Sequence, residues 1–248
     1  MKNFYIYINP NGFDQDTEKL QKLQIDNSLE LGWKLEDIIL VTNFPWEYNG
    51  VKAIVVPNEN YCEAWKQASK INVTTYLFDH RFFQPGELYW FHDFDAFQQE
   101  IIIEDELGLQ NVDIGLTDYG RKARWNTGSY FFNSNCRDIF YWIKDDMYKH
   151  FSGRKNEETT IWRLTAHNFN NINSRIKRLN ITYNFGVKKV KLCYEKAIKP
   201  IKVVHFHPYR IYWNKIRAID ILMHSKNELK KPIINKRLTN LFKKYGYN

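Results

Sequence analysis

The chain has 248 residues, enough to close one substantial hydrophobic core without disulfides or a structural metal, so a stapled mini-protein is excluded. Lysine and arginine total 36 against 28 acidic residues, a net charge of +8; with 44% hydrophobic and 26% charged residues, neither wholesale disorder nor a membrane-spanning chain fits. Aromatic residues make up 17%, and basic charge joined to flat rings suits a partner that carries phosphate or presents sugar or base faces. No apolar run approaches the roughly 18 residues of a transmembrane helix, and residues 1–10 lack a signal-peptide pattern, so a cytoplasmic location is expected. Cys62, Cys136 and Cys193 are widely separated and odd in number, which fits reduced thiols and gives neither a zinc spacing nor a disulfide framework.

In chain order, residues 4–8 form the first predicted strand, and Asn9-Pro10-Asn11-Gly12 breaks it. Helical spacing follows over 14–32 through Leu20, Leu23 and Leu31. Residues 38–41 are the next strand, Asn49-Gly50 turns the chain before a strand at 51–56, and 61–70 returns to helical spacing through Ala64, Trp65 and Ala68. Leu88-Tyr89-Trp90-Phe91 is a strand that ends in His92-Asp93-Phe94-Asp95. Strands are expected at 112–116 and 128–133, helices at 137–150 and from Glu157, and a last strand at 202–205. Beyond it 212–226 reads as helix. Residues 235–245 place Leu238, Leu241, Phe242 and Tyr245 on one face with Lys236, Arg237, Lys243 and Lys244 around it. Strands alternating with helices imply an α/β layered, mostly parallel sheet with its ligand crevice at the carboxyl ends of the strands. With no repeat or flexible linker, one domain is expected over 1–210, with a basic helical extension over 211–248 packed on or beside it.

The segment richest in chemistry is 88–95. An apolar strand running straight into two carboxylates two residues apart delivers acidic groups to the ligand edge of the sheet, where hard oxygen ligands bind a divalent cation. Such a cation neutralises a diphosphate. The plain alternative is that Asp93 and Asp95 cap a turn. Context favours the first reading, because Val203-Val204-His205-Phe206-His207-Pro208 brings two more ligand candidates at the end of another apolar run.

Three elements in this order, His92-Asp93-Phe94-Asp95, then Trp125-Asn126-Thr127-Gly128 opening a strand through Asn133, then Val203-Val204-His205-Phe206, make the chain resemble the GT-A glycosyltransferases, the nucleotide-diphospho-sugar transferases, over about residues 1–210. The resemblance implies a Rossmann-like mixed sheet flanked by helices, and Mn2+ or Mg2+ as cofactor. It implies a hexosyltransferase-like reaction from a nucleoside diphosphate sugar, a UDP-sugar first, to a glycan, glycoprotein or glycolipid hydroxyl. On this resemblance Asp93 and Asp95 bind metal and donor, and His205 is the distal metal ligand with His207 in reserve. Glu157 or Glu158 sits beside the acceptor and the anomeric carbon, as general base or as stabiliser of an oxocarbenium-like transition state; first-turn glutamates favourable to the helix dipole are the alternative.

The same resemblance makes Asn9 a contact to the donor base and Arg81 a contact to donor phosphate or sugar. Arg124, Trp125 and Asn126 fall on the acceptor side, with Arg121 and Lys122 in a basic loop. Tyr183-Asn184-Phe185 resembles a segment near the end of some family members and carries no assigned role. Nucleic acid is not expected as a partner. The basic tail either packs on the domain or lies on an anionic membrane surface near a lipid-linked acceptor. A competing class is a divalent-metal phosphoesterase or nuclease using Asp93, Asp95, His205 and His207.

Overall fold

The computed structural model describes residues 1–120, 124–150, 156–187, 190–206 and 233–247. The helix expected at 212–226, His207, Arg121 and Lys122 lie outside the described residues. In chain order the elements are β1 (Lys2–Ile6), α1 (Gln15–Glu30), β2 (Ile38–Thr42), the short β3 (Glu47–Tyr48), β4 (Val51–Lys52) and β5 (Ile54–Val55), then α2 (Lys66–Asp79), β6 (Leu88–His92), β7 (Ala96–Gln98) and α3 (Glu104–Leu107). They continue with β8 (Ile114–Asp118), β9 (Trp125–Asn133), α4 (Arg137–Lys149), α5 (Glu157–Ala166), β10 (Ile176–Arg178), β11 (Phe185–Gly186), α6 (Val190–Lys196), β12 (Val203–His205) and α7 (Lys236–Lys244).

Seven strands form the main sheet in the order β10-β8-β9-β6-β1-β2-β5. Only β9 runs antiparallel to its neighbours; the other adjacent pairs are parallel. This is the mixed, mostly parallel sheet that the alternating pattern predicts. Helices cover both faces, so β6 is buried along its whole length, which is why it reads as an unbroken apolar run. Because β9 is reversed, its first residues lie beside the last residues of β6 and β8: His92 pairs with Ser129, and Asp118 with Trp125. The register of β9 against β8 shifts between Leu116 and Thr117, leaving a bulge at 127–129. Bulges of this kind re-aim side chains next to a site.

A second sheet, β11-β12-β7, does the decisive positioning. β12 pairs antiparallel with β7, setting His205 opposite Ala96 and so next to Asp95; the Phe206 N–H donates to the Asp95 carbonyl at 2.8 Å. Neither β7 nor β11 is visible in the sequence pattern, since both are two or three residues long.

α1 begins as the sequence predicts, with Asp14 accepting from the Thr17 N–H at 2.7 Å. Its buried face is not only apolar. Gln24 donates to the carbonyls of Phe94 and Ala96 at 2.9 and 2.8 Å, and Asn27 to that of Gln98 at 2.9 Å. These bonds clamp the backbone on either side of Asp95. α2 starts later and runs nine residues further than the spacing predicts. Val73-Thr74-Thr75 is a poor helical sequence, but both threonine hydroxyls bond back to carbonyls one turn earlier and the segment packs on α4.

The tail packs. Leu238, Leu241 and Phe242 of α7 are buried in one cluster with Leu20, Phe97 and Phe206, and Arg237 donates to Asn27 and Glu30 of α1. The apolar face expected for 235–245 is thereby covered by the protein's own core. Among the described residues no helix is long and apolar enough to cross a membrane. The aromatic surplus is also largely structural: Phe4, Phe83, Tyr89 and Phe132 meet edge to face or stacked in the core beside the sheet. All three cysteines are unbridged.

Candidate functional site

The carboxyl ends of β1 and β6, the start of β9 and the N-termini of α2 and α5 converge on a cleft of about 510 Å³. Asp93 and Asp95 follow β6 directly. The Asp93 N–H donates to the Gly128 carbonyl at 2.9 Å, so the acidic loop is pinned to the bulge of β9. His205 arrives from β12 with its Nε2 3.4 Å from Asp95 Oδ1. One ligand atom each from Asp93, Asp95 and His205 lie within 4.8 Å of one another. Two carboxylate oxygens and an imidazole nitrogen at that spacing are a donor set for a divalent cation.

Charge supports the same fit. Among the described residues four carboxylates line the cleft, Asp93, Asp95, Glu157 and Glu158, against two lysines, Lys66 and Lys70. With every carboxyl ionised the formal balance is −4 + 2 = −2, which one divalent cation neutralises. Burial works against a charge on His205, yet Asp95 across from it overrides that and holds the imidazole above its usual range. A ring in that electrostatic setting is one a cation can replace a proton on.

α5 supplies the wall. Asn156 caps it, accepting from the Thr159 N–H at 3.1 Å, and this start is what aims Glu157 and Glu158 at the cleft. The two glutamates are held differently. Glu157 accepts from Thr127 Oγ1 at 3.1 Å and sits 2.6 Å from Lys70 Nζ; burial raises its pKa, but the Lys70 cation outweighs it and the carboxyl is held below its ordinary value. Glu158 Oε1 accepts from the Tyr119 hydroxyl at 2.7 Å and from the Thr127 N–H at 3.2 Å. Burial, with the neighbouring Glu157 charge, keeps the Glu158 carboxyl above the ordinary range in spite of those bonds.

Comparison with known proteins agrees with this geometry at the level of fold. No family model and no curated protein matches the sequence. Solved structures do match. A glycosyltransferase involved in glycosylation of the major capsid of PBCV-1 is 13% identical with a TM-score of 0.56, over 85% of this chain and 96% of that one. The galactosyltransferase LgtC, in complex with donor and acceptor sugar analogs, is 10% identical with a TM-score of 0.56, over 97% and 100%. Mouse xyloside xylosyltransferase 1 is 11% identical with a TM-score of 0.50, over 82% and 96%. The fold is GT-A.

Within the GT-A frame the expected residues divide into two sets. Asn9, Asp93, Asp95, Glu157, Glu158 and His205 line one cleft. Arg81 does not. α2 continues through Asp79, so Arg81 lies past its far end, about 16 Å along the helix axis from Lys70. Asp79, two residues before it, makes a surface ion pair with Arg137 at 2.6 Å. The cation that α2 does bring to the cleft is Lys70.

The three acceptor-side residues are also not surface contacts of the cleft. Trp125 is buried: its indole N–H donates to Thr165 Oγ1 at 2.9 Å and the Arg178 guanidinium lies 4.0 Å from its ring centre, so it fastens α5 to β9. Asn126 is buried beneath the bulge, its Oδ1 accepting from the Gly128 N–H at 3.1 Å, and its Nδ2 has no partner among the described residues. Arg124 is exposed beside residues outside the described set.

Five contributors escape the sequence reading: Lys70, Tyr119, Thr127, Gly128 and Asn184. A Cβ built on Gly128 would lie 1.9 Å from His205 Cε1, so glycine is required there by the approach of the ring. Asn184 accepts from, or bonds to, His205 Nδ1 at 3.0 Å. Its segment carried the only available signal, a Tyr-Asn pair just before an apolar strand.

Proposed function

We propose that this protein is a metal-dependent glycosyltransferase. It transfers a sugar from a nucleoside diphosphate sugar, a UDP-sugar first, to a hydroxyl of a glycan, glycoprotein or glycolipid acceptor. The observation that carries the reading is the convergence of Asp93, Asp95 and His205 from two sheets at the floor of a cleft walled by Glu157 and Glu158. A divalent cation held by those three side chains supplies charge neutralisation for the donor diphosphate and for the departing nucleoside diphosphate.

The chain's own groups then have separable tasks. Asn9 and the stacked Tyr7 and Phe94 rings, 5.6 Å apart, offer an amide edge and a flat face for a base at the end of β1. Lys70 holds Glu157 ionised close to the reacting centre, where its charge stabilises positive charge developing at the anomeric carbon. Glu158, with its raised pKa, is better matched to exchange a proton with the acceptor hydroxyl near neutral pH.

The test is a thermal-shift panel of nucleotide sugars with and without Mn2+. A true donor raises the melting temperature only with metal, by roughly 5 to 10 °C at about 100 times its Kd, and is slowly hydrolysed when no acceptor is present. If no nucleotide sugar stabilises the protein, or if single-stranded nucleic acid is cleaved instead, the proposal fails.

A further inference from the structure

We infer that Asn184 is the positioning residue that fixes the orientation and tautomer of His205, and that Gly128 is the opening that admits the ring. The inference rests on the cation-site reading above and goes beyond it, because it assigns a function to two residues that do not line the triad themselves.

Asn184 Nδ2 donates to the backbone carbonyls of Asn126 at 3.2 Å and Ser129 at 3.3 Å. Both acceptors belong to the β9 bulge and flank Gly128. Carbonyls only accept, so these two bonds determine which end of the amide is nitrogen, leaving Oδ1 toward the imidazole. Oδ1 also only accepts. The 3.0 Å contact to His205 Nδ1 therefore requires the proton on Nδ1, and Nε2, 3.4 Å from Asp95 Oδ1, is the nitrogen at which a cation takes the place of a proton. The amide thus converts the backbone geometry of β9 into a chosen tautomer of a ring on β12. Histidines that ligate a metal commonly depend on such a partner at the other nitrogen.

The remaining surroundings leave the ring little freedom. His205 is 4% exposed and Asn184 1%. The ring occupies the volume that a side chain at 128 would fill, with all three of Cε1, Nδ1 and Nε2 closer than 3 Å to a Cβ built there. Ser129, next to Gly128, donates to the Tyr183 carbonyl at 2.7 Å and accepts from the Trp90 indole at 2.8 Å, so the strand bearing Gly128 and the segment bearing Asn184 are locked together. Together these contacts present Nε2 toward Asp95.

The test has a metal-free arm and a metal arm. Tautomers are read by side-chain 15N NMR at alkaline pH in metal-free Asp95→Ala protein, where no carboxylate competes for a proton on Nε2. Neutral His205 is expected as the Nδ1–H tautomer, and a neutral ring protonated on Nε2 overturns the inference. In the metal arm, Mn2+ affinity measured by electron paramagnetic resonance is expected to fall about 10 to 100-fold in Asn184→Ala, with mixed tautomers in the NMR. Asn184→Asp keeps an acceptor for Nδ1–H but sets its other oxygen, in place of Nδ2, against the Asn126 and Ser129 carbonyls, and is expected to retain that tautomer at a lower melting temperature. Gly128→Ala is expected to lose Mn2+ binding through displacement of the ring. An Asn184→Ala protein that binds Mn2+ within twofold of wild type with an unchanged tautomer also overturns it. Asp95→Asn and His205→Ala separate the two readings: if neither weakens Mn2+ binding, the cation site itself is wrong, while the metal-free spectrum still decides the role of Asn184.

Discussion

Lys70 Nζ lies 2.6 Å from Glu157 Oε1 and 3.4 Å from Asp93 Oδ1, so one ammonium group joins the wall of the cleft to its acidic floor. The Lys70 and Glu157 side chains are 14% and 9% exposed. Removing one partner of such a pair strands the other, at a cost of about 3 to 5 kcal/mol. Lys70→Met is therefore expected to lower the melting temperature by roughly 10 °C, and Lys70→Met with Glu157→Gln to recover much of it. The pH dependence also reverses. In the wild type Glu157 is held low, so its stabilisation is present above the unfolded pKa and lost as pH falls through the folded one. Without Lys70, burial raises that carboxyl, and stability falls as pH rises instead. Denaturant melts across the acid range read the slope; an unchanged slope contradicts the assignment.

Glu158 provides the opposite sign. Its folded pKa is raised, so the native state binds the proton more tightly than the unfolded chain does, and stability declines as pH climbs from the unfolded to the folded value. Glu158→Gln keeps an Oε1 acceptor for Tyr119 and Thr127 and removes the titration. Its melting temperature is expected to gain on the wild type across that window and to match it below. Transfer activity should drop by about 10² to 10⁴-fold, the usual share of a general acid or base. A variant with full activity removes Glu158 from the chemistry.

What the sequence discloses and what it conceals follow from how far each signal reaches along the chain. Asp93, Asp95 and His205 are legible because each stands where an apolar run stops at polar residues, a local pattern that places a side chain at the strand end. Glu157 and Glu158 are legible as the first turn of a capped helix. Lys70 is hidden because the helical spacing in the sequence ends there, and Arg81 misleads for the same reason: the extra turns through Asp79 carry it away from the cleft. Gly128 has no local signal, and Asn184 has only the Tyr-Asn pair, which assigns it no role. The absent side chain of one and the amide of the other acquire meaning only when β12 brings His205 against the β9 bulge.

Metal removal should separate binding from folding. The triad lies in a cleft and belongs to none of the four hydrophobic core clusters of the described residues, so a chelator is expected to change the melting temperature of the ligand-free protein by no more than a few degrees, while abolishing stabilisation by a nucleotide sugar. Asp95→Asn is expected to imitate the chelator. If chelation alone unfolds the protein, the cation is a structural element, and the division of roles drawn here is incorrect.

Phe242 tests whether α7 supports the Asp93, Asp95 and His205 cluster. Its ring is fully buried, 5.0 Å from Phe97 and 5.5 Å from Phe206 between ring centres, and those two residues adjoin the paired Ala96 and His205. Truncation to alanine removes an aromatic side chain from a filled core, a loss of about 3 to 5 kcal/mol. If α7 only adds stability, Phe242→Ala and Met147→Ala, a truncation in the core beneath α4, behave alike: lower melting temperature, unchanged Mn2+ affinity. The packing predicts otherwise. Phe97 and Phe206 carry the β7 and β12 backbone that sets Asp95 against His205, so loosening them widens the triad. Phe242→Ala is expected to weaken Mn2+ binding several-fold at a temperature where it remains folded, whereas Met147→Ala is not. Equal Mn2+ affinity in the two variants would make α7 a cover and nothing more.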